Sequence, residues 1–466
     1  MTATKEDWKK DFYKNGVPTE VIIIEDTPPL SQQISQTTNT HIPTNSIRRT
    51  QPTIPNLLGP PAASTRSKRI RKDTPKNNLP PPPPPPPVKR RKKDVTLLRR
   101  PPTTAVIPSP ASCDDKDGHY IIKPNESLTP RYKMMKLLGQ GTFGKVVECY
   151  DRVKRTFCAI KIIRAIPKYR DASKIEIRVL NTLKEHDPIN LNKCIHLIEW
   201  FDYCNHICMV FELLGQSVFD FLKANEFRPF PIHHIQQFAK QLLTSVAFVH
   251  ELKLIHTDLK PENILLVDSE SVEADNIEGV DPKSRVLRNT DIRLIDFGSA
   301  TFEQDYHSNV VCTRHYRAPE IILGLGWSYP CDIWSIGCIL VEFLTGDALF
   351  QTHDNLEHLA MMTVVLGKIP AKLIKASSFE AQKFFKEGKL RYPADDTTKQ
   401  SRKYVRALKL LKYIIDPQTN AKAQFLDLLS KMLVYDPSLR ITAREALRHP
   451  FFMMRFDDLG RETEEN

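Results

Sequence analysis

The sequence lacks the features that mark membrane-embedded, secreted and zinc-binding proteins. It has no run of about 18 or more apolar residues, which a membrane-spanning helix needs. Its first residues are charged and do not form the apolar segment of a secretion signal. The nine cysteines are scattered, and no CxxC pair offers zinc-ligand spacing. We therefore expect a soluble cytosolic or nuclear protein with reduced, mostly buried thiols.

Proline and positive charge are abundant, but the positive charge is concentrated near the N-terminus. The 466 residues are 41% hydrophobic and 26% charged, close to the globular average, and include 36 prolines. Residues 1–120 contain 20 basic and 11 acidic residues, so they supply nine of the twelve net positive charges. The rest of the chain is nearly neutral. Charge therefore does not favour a nucleic-acid-binding surface over the whole protein, and we expect no direct contact with nucleic acid.

Residues 1–120 show no sustained helical or strand period, which predicts a disordered tail. The prolines from Pro80 to Pro87 predict a polyproline II segment, because proline fixes φ and has no amide hydrogen to donate. Five basic residues follow at positions 89–93. The tail is predicted to carry a nuclear import signal or a ligand for proline-binding modules, and a solvated spacer is the alternative.

Apolar patterning from residue 132 onward predicts two lobes of different kinds. In residues 132–214, strand-like runs surround one segment of helical spacing, which predicts a small antiparallel sheet with one main helix. In residues 215–452 the spacing is mostly helical, which predicts a larger helical lobe. The expected fold class is α+β, with a short C-terminal tail over 453–466. The strand-like runs are 132–138, 145–150, 156–163, 197–203 and 207–213, and the helical segment is 171–184.

Three glycines, Gly139, Gly141 and Gly144, form the pattern G-x-G-x-x-G. In a dinucleotide-binding fold this loop would open a helix and precede an acidic residue by about 20 positions. Here strand-like residues follow from Val146, and position 161 is a lysine. The loop is therefore predicted to join two antiparallel strands, so that its backbone amides can close over nucleotide phosphates. On this motif alone an ordinary glycine hairpin is the alternative.

Lys161 ends an apolar strand-like run, where a cation needs anionic partners. Glu176, in the following helical segment, is one candidate partner. The α- and β-phosphates of a nucleotide are the other. Taken alone, such a pair would more often lie on the surface, but the glycine loop upstream favours a phosphate site.

Residues 256–263 and Asp296 carry the groups that phosphoryl transfer requires. The reaction depends on positioning and charge neutralisation, so a site needs a carboxylate to orient the attacking hydroxyl and oxygen ligands for Mg²⁺. Asp258 fits the first role, and Lys260 can neutralise the transferred phosphate. Asn263 and Asp296 fit the metal role, because magnesium prefers hard oxygen donors.

These motifs, in this order, resemble those of eukaryotic protein kinases over residues 132–452. The resemblance implies the bilobal kinase fold, with the two ranges above as the N-lobe and the C-lobe. It also implies ATP and Mg²⁺ as cofactors. By the same resemblance, Glu212 and Leu214 present backbone groups to adenine, and Leu138 and Val146 belong to the nucleotide site.

Residues 357–362, Glu-His-Leu-Ala-Met-Met, resemble the LAMMER (CLK, CDC-like) dual-specificity protein kinases. The Glu-Arg that would complete the LAMMER name is replaced by Thr363 and Val364. The resemblance implies phosphorylation of Ser and Thr, with Tyr in autophosphorylation, on Arg-Ser-rich or other basic nuclear proteins. Together with the basic tail, which predicts nuclear import, we expect a monomer located in the nucleus, with a cytoplasmic pool allowed. Similar segments lie at 256–258, 299–301 and 313–317.

Two departures from the usual kinase pattern predict local properties. Thr257 occupies the position where many kinases have an arginine that pairs with a phosphorylated activation loop. A neutral side chain cannot pair with a phosphate dianion, so activity is not expected to require phosphorylation through this contact. Residues 268–291 are polar and make the spacing between Asn263 and Asp296 unusually long. We interpret them as an insertion, which the family resemblance implies is a surface hairpin behind the hinge between the lobes.

Two alternatives compete with an active LAMMER-type kinase. The first is a kinase-fold scaffold that recruits partners through its proline-rich tail, but Lys161, Asp258, Asn263 and Asp296 are all retained. The second is a kinase of the related dual-specificity Tyr-regulated branch. Its Tyr-x-Tyr pair is absent, because Tyr306 is followed by a histidine and a serine.

Overall fold

A computed structural model describes residues 113–463, apart from residues 275, 276, 278, 279 and 458. The predicted proline segment and basic block of the tail lie outside the described residues. Within the described part of the chain, no helix is both long and apolar enough to cross a membrane. All nine cysteines fall in this part and are free thiols.

A five-stranded antiparallel sheet and one long helix form the N-lobe, and the strand order is β1-β2-β3-β5-β4. Buried and more exposed residues alternate along β2, as expected for a sheet with one face on a core. The helix, α1, begins earlier than its predicted limit because its first turn, opened by a proline, is polar. The elements are β1 (Tyr132–Gln140), β2 (Gly144–Asp151), β3 (Thr156–Ile163), α1 (Pro167–His186), β4 (Glu199–Tyr203) and β5 (His206–Glu212).

The C-lobe is built around helices, with short two-stranded ribbons between them. Helix α5 is buried on nearly all sides, which matches its apolar sequence. It ends at Gly346, whose φ of 73° is left-handed and whose added Cβ would lie 1.8 Å from the carbonyl oxygen of Phe227. The helices are α2 (Val218–Ala224), α3 (Ile232–Glu251), α4 (Pro319–Ile322), α5 (Pro330–Thr345), α6 (Asn355–Leu366), α7 (Ala371–Ala376), α8 (Phe379–Gln382), α9 (Lys399–Ala407), α10 (Leu411–Ile415), α11 (Asn420–Met432) and α12 (Ala443–Ala446).

The short strands of the C-lobe pair antiparallel and fix the loops that carry polar residues. β6 pairs with β11, and β7 pairs with β10. In the predicted insertion, β8 pairs with β9, so this segment forms a hairpin as expected from the sequence. The strands are β6 (Leu254–Ile255), β7 (Ile264–Leu266), β8 (Ser271–Glu273), β9 (Arg285–Leu287), β10 (Ile292–Leu294), β11 (Thr301–Phe302), β12 (Phe385–Lys386), β13 (Lys389–Leu390), β14 (Arg455–Phe456) and β15 (Glu462–Thr463).

Residues 113–120, which the sequence analysis assigned to the disordered tail, are structured, so the predicted tail boundary at residue 120 is corrected. We call them the N-terminal strap. Asp115 accepts a hydrogen bond at 3.1 Å from Nζ of Lys145, which also donates to the carbonyl oxygen of Tyr120 at 3.1 Å. Asp114 lies 2.6 Å from Nε2 of His206, a fully buried residue. The strap was missed because these contacts join residues far apart in sequence.

A buried ion pair holds α4 to the segment before α12. Arg440 donates from Nη1 and Nη2 to the two oxygens of Glu320, at 2.7 Å and 2.8 Å. Both side chains are almost fully buried. A bidentate pair of this kind is geometrically specific, and loss of one partner leaves a buried charge without compensation.

Replacing Arg440 with leucine is expected to lower the free energy of unfolding by about 3–5 kcal/mol, because Glu320 would lose its buried partner. The measurement is urea denaturation followed by circular dichroism. Arg444→Leu is the matched control, since Arg444 pairs with Glu251 at an exposed site and such pairs contribute about 0–1 kcal/mol. Equal losses in the two variants would contradict this assignment.

Candidate active site

Lys161 stands at the centre of a charged network that joins three elements. Its Nζ lies 2.7 Å from Oε1 of Glu176 on α1 and 3.2 Å from Oδ1 of Asp296, just after β10. Burial alone would lower the pKa of Lys161, but the two carboxylates reverse that effect and raise the pKa. The positive charge of Lys161 lowers the pKa of Asp296. At neutral pH the lysine is therefore cationic and the aspartate anionic.

A second polar cluster surrounds Asp258. Nζ of Lys260 donates to Oδ2 of Asp258 at 2.7 Å, and the hydroxyl of Thr313 donates to Oδ1 at 2.6 Å. Burial would lower the pKa of Lys260, but the nearby carboxylates of Asp258, Glu262 and Asp296 together raise it. Both oxygens of the Asp258 carboxylate thus accept hydrogen bonds, which fixes the orientation of the carboxylate.

Asp332, at the start of α5, anchors the loop that carries Asp258. Its two oxygens accept from the backbone amides of His256 and Thr257 at 2.9 Å each, and from Nε2 of His250 at 2.9 Å. The residue is fully buried, and burial would raise the pKa of its carboxyl, but the hydrogen bond from His250 lowers it. The loop is therefore held at its base by a charged acceptor.

Two non-glycine residues beside the site have left-handed backbones. Thr257 has a φ of 67°, and Asp296 has a φ of 62°. Such conformations cost on the order of 1 kcal/mol each and cluster at sites where a side chain must be aimed. The hydroxyl of Thr257 donates to the carbonyl oxygen of Ser299 at 2.9 Å, which helps to hold the turn.

Asn263 and Asp296 meet because β7 and β10 are antiparallel. Asn263 precedes β7 and Asp296 follows β10, and the amide of Ile295 donates to the carbonyl oxygen of Asn263 at 3.0 Å. Nδ2 of Asn263 donates to the carbonyl oxygen of Asp258 at 2.8 Å, which leaves its amide oxygen available as a ligand. One carboxylate and one amide oxygen fit Mg²⁺, which completes its shell with water and phosphates. The described residues contain no cluster of three or more His, Cys, Asp or Glu side chains that could hold a metal unaided.

The glycine loop lies between β1 and β2, as the sequence predicted. An added Cβ at Gly139 or Gly141 would meet no atom within 4 Å, so the loop borders open space there. An added Cβ at Gly144 would lie 2.2 Å from the carbonyl oxygen of Ile162 on β3. Gly144 is thus required by the packing of the sheet itself, a reason that the motif alone did not reveal.

The predicted nucleotide-site residues occupy the sheet and the segment leading out of it. Val146 lies directly opposite Lys161 in the β2–β3 register, so both side chains are on one face of the sheet. Leu138, on β1 before the glycines, is partly exposed. Glu212 ends β5, with Oε1 3.4 Å from Nε of Arg293, and Leu214 packs against the large core.

Sequence reasoning missed two residues next to the site. Thr313 lies in a segment that resembles the family, and the sequence gives it no role, yet its hydroxyl contacts both Asp258 and Lys260. Lys145 follows the glycine loop and is held by the N-terminal strap. A hydroxyl or a lysine at these positions carries no sequence signal, because the partners lie 30 to 55 residues away.

Comparisons with known proteins agree with this geometry. A family model described as the protein kinase domain matches residues 132–452. Dual specificity protein kinase lkh1 of Schizosaccharomyces pombe is 57% identical over 344 residues, which are 74% of this chain and 50% of that protein. Serine/threonine-protein kinase AFC2 of Arabidopsis thaliana is 50% identical over 73% of this chain and 81% of its own length. Dual specificity protein kinase CLK2 of Homo sapiens is 48% identical over 73% of this chain and 67% of its own.

A solved structure described as a kinase domain is 36% identical, with a TM-score of 0.67, and the match covers 72% of this chain and all of that one. The lobes and the family match define a protein kinase. The chain belongs to that family and, within it, to the LAMMER (CLK, CDC-like) dual-specificity kinases. The α+β bilobal fold and the family predicted from the sequence are confirmed.

The replaced end of the LAMMER segment fits its helix without strain. The hydroxyl of Thr363 donates to the carbonyl oxygen of Ala360 at 2.7 Å, within α6. Val364 packs against the large core. Glu357, which opens the segment, accepts from the hydroxyl of Thr352 at 2.6 Å and also contacts Ser401 on α9.

Gly144→Ala is expected to lower the free energy of unfolding by roughly 1–3 kcal/mol, because its Cβ would collide with a backbone oxygen of β3. Gly141→Ala, in the same loop but facing open space, is expected to change it by less than about 0.5 kcal/mol. Thermal denaturation of the two purified variants against the parent measures the difference. If Gly141→Ala were the more destabilised, the packing role of Gly144 would be wrong.

Proposed function

We propose that this chain is an ATP- and Mg²⁺-dependent protein kinase that phosphorylates serine and threonine, and tyrosine in autophosphorylation. The observation that carries this proposal is a chain of charge contacts: Lys161 pairs with Glu176 and Asp296, and Lys260, which pairs with Asp258, is close enough to Asp296 to help lower its pKa. Positioning and charge neutralisation are the main requirements of phosphoryl transfer. Members of the protein kinase family use ATP and a divalent metal ion.

Each side chain has a distinct task in this proposal. Lys161 binds the α- and β-phosphates while Glu176 keeps its ammonium group in place. Asp258 orients the substrate hydroxyl and accepts its proton, and Lys260 neutralises charge on the transferred phosphate. Mg²⁺, held through Asn263 and Asp296, would neutralise the phosphate oxygens. The glycines Gly139, Gly141 and Gly144 let the loop approach the phosphates, and Leu138, Val146, Glu212 and Leu214 contact the nucleoside.

The proposed substrates are Arg-Ser-rich or other basic nuclear proteins. The family supports this class, and the near-neutral net charge of the domain permits acidic patches that attract basic peptides. We place the protein in the nucleus, with a cytoplasmic pool allowed, on the basis of its basic tail and its relatives. The proline segment, Pro80 to Pro87, would bind proline-recognition modules, and the kinase would act as a monomer.

Activity is proposed to be independent of activation-loop phosphorylation through position 257. Thr257 is 1% exposed, and its hydroxyl is engaged with the backbone of Ser299. Its side chain therefore offers no charge to a phosphate group. The turn that contains Thr257 is held by the buried carboxylate of Asp332, which accepts from the amides of His256 and Thr257.

Asp258→Ala is expected to lower kcat for a basic Ser-containing peptide by about 10²- to 10⁴-fold, because the hydroxyl loses the group that orients and deprotonates it. Lys161→Arg should abolish most turnover as well, since a guanidinium cannot reproduce the ammonium contacts with Glu176 and Asp296. The measurement is steady-state phosphate transfer with ATP and Mg²⁺.

Asp171→Ala, at an exposed ion pair with Lys174, is the control and should keep parental kcat. Circular dichroism must show that all variants are folded. Near-parental turnover by folded Asp258→Ala would show that Asp258 does not have the proposed role. A degenerate peptide library that compares Arg-Ser, proline-directed and acidic sequences tests the substrate class.

Treatment of the purified kinase with a broad-specificity phosphatase should change kcat by less than about twofold, because no cation at position 257 depends on a phosphate. Mass spectrometry verifies that the phosphates have been removed. After removal of the phosphatase, kcat is compared with that of a mock-treated sample. A loss of tenfold or more, restored by autophosphorylation, would contradict the proposal.

A further inference from the structure

The chain from residue 368 to residue 412 is strongly basic, in contrast to the rest of the kinase domain. It contains 13 lysines and arginines and four acidic residues, an excess of nine positive charges. The other residues between 121 and 466 contain 34 basic and 40 acidic residues, an excess of six negative charges. The neutral average of the domain therefore conceals a charge separation, and the positive part is one continuous segment.

Three of these cations form a stripe along α9. Lys399, Lys403 and Arg406 are spaced by four and three residues, so they share one face of the helix. All three are exposed. The opposite face is attached to the lobe, because Val405 is buried and the hydroxyl of Ser401 donates to Glu357 on α6.

The adjacent β12–β13 hairpin adds two more cations. Lys386 and Lys389 are paired across the ribbon, and both are exposed. The hairpin exit lies against α9, because the hydroxyls of Tyr392 and Ser401 are 2.7 Å apart. We call the set Lys386, Lys389, Lys399, Lys403 and Arg406 the α9 basic surface.

Within the part of the chain that the structure describes, none of the five has a carboxylate at ion-pair distance. Two other lysines differ: Lys372, in the same basic segment, pairs with Asp436, and Lys431, outside it, pairs with Asp427. Like charges spaced by four residues on a helix, or facing each other across a ribbon, destabilise the element that carries them. A cation in the first turn of α9 also opposes the helix dipole. This arrangement is unfavourable for the free protein and is relieved by a bound anion.

The surface is linked to the catalytic cluster by a short series of contacts. Ser401 on α9 contacts Glu357 at the start of α6. Two residues earlier, Oδ1 of Asn355 accepts from Nη1 of Arg314 at 3.0 Å, and the neighbouring Thr313 contacts Asp258. Helix α9, which carries three of the cations, therefore contacts α6. Helix α6 in turn contacts the segment of Arg314 and Thr313, which lies beside Asp258.

We propose that the α9 basic surface binds segments of protein substrate that are already phosphorylated, a role that rests on the proposed kinase activity. Each phosphoserine carries about −1.5 to −2 charges at pH 7, so phosphorylation turns a basic Arg-Ser segment into one that the surface attracts. An unmodified basic segment is repelled. The surface thereby binds phosphorylated segments in preference to unmodified ones. It retains a partly phosphorylated substrate protein close to the active site. Its link to the loop beside Asp258 favours a peptide over a nucleic acid.

The test is fluorescence anisotropy with the full-length kinase, without ATP, and a labelled Arg-Ser peptide in which every serine is phosphorylated. The phosphorylated peptide should bind at least about tenfold more tightly than its unphosphorylated form. The triple variant Lys399→Gln, Lys403→Gln, Arg406→Gln should lose about tenfold in affinity, since three exposed ion pairs multiply to a factor of this order.

A matched triple variant, Lys154→Gln, Lys223→Gln and Lys240→Gln, removes the same charge from exposed sites elsewhere, and it should bind within about twofold of the parent. The basic tail is common to all three proteins, so its contribution cancels. Equal losses in both variants, or equal binding of the two peptides by the parent, would overturn the proposal. Tighter binding of a single-stranded RNA than of the phosphopeptide, lost in the α9 variant, would overturn the choice of partner.

Phosphate transfer to a short unphosphorylated peptide by the parent is measured in parallel. An inactive parent would refute the proposed function even if the phosphopeptide bound. An active parent without selective phosphopeptide binding would refute this surface and leave the proposed function intact.

Discussion

The pairing of Lys161 with two carboxylates is the constraint on which the site depends. A lysine in an apolar sheet cannot stay charged without anions, and the two anions come from α1 and from the residue after β10. The charge of Lys161 thus holds α1 against the N-lobe sheet and also connects the N-lobe to the C-lobe. The same contacts hold an ammonium group and a carboxylate side by side where the two lobes meet.

Below that network, buried charges fix the backbone of the C-lobe. Asp332 holds the loop of Asp258 by its amides, and Arg440 fastens α4 through Glu320. Such pairs do little for net stability compared with apolar packing, but they specify geometry strongly because a broken pair is costly. The positions of Asp258 and Thr313 are therefore set by groups that have no part in the chemistry.

Much of the fold and many of the site contacts could be predicted from local patterns. Strand and helix periods located the sheet and α1, and the cation in β3 required an acidic partner, which the structure shows as Glu176. What could not be predicted were contacts between distant segments, such as Thr313 with Asp258. Gly144 differs from both, because the motif identified the residue but not why it must be glycine. Only the β2–β3 register shows that any side chain there would collide with the backbone of Ile162.

The N-terminal strap determines where an independently stable fragment must begin. The family match starts at residue 132, yet Lys145 and His206 bind oxygens supplied by Asp114, Asp115 and Tyr120. A fragment cut at the family boundary would keep the enclosed ammonium group of Lys145 without either acceptor, and would leave the enclosed imidazole of His206 with only the carbonyl oxygen of Ile163 as a partner. The structured unit therefore begins earlier than the region that the family model matches, and a recombinant catalytic fragment needs a start ahead of Cys113.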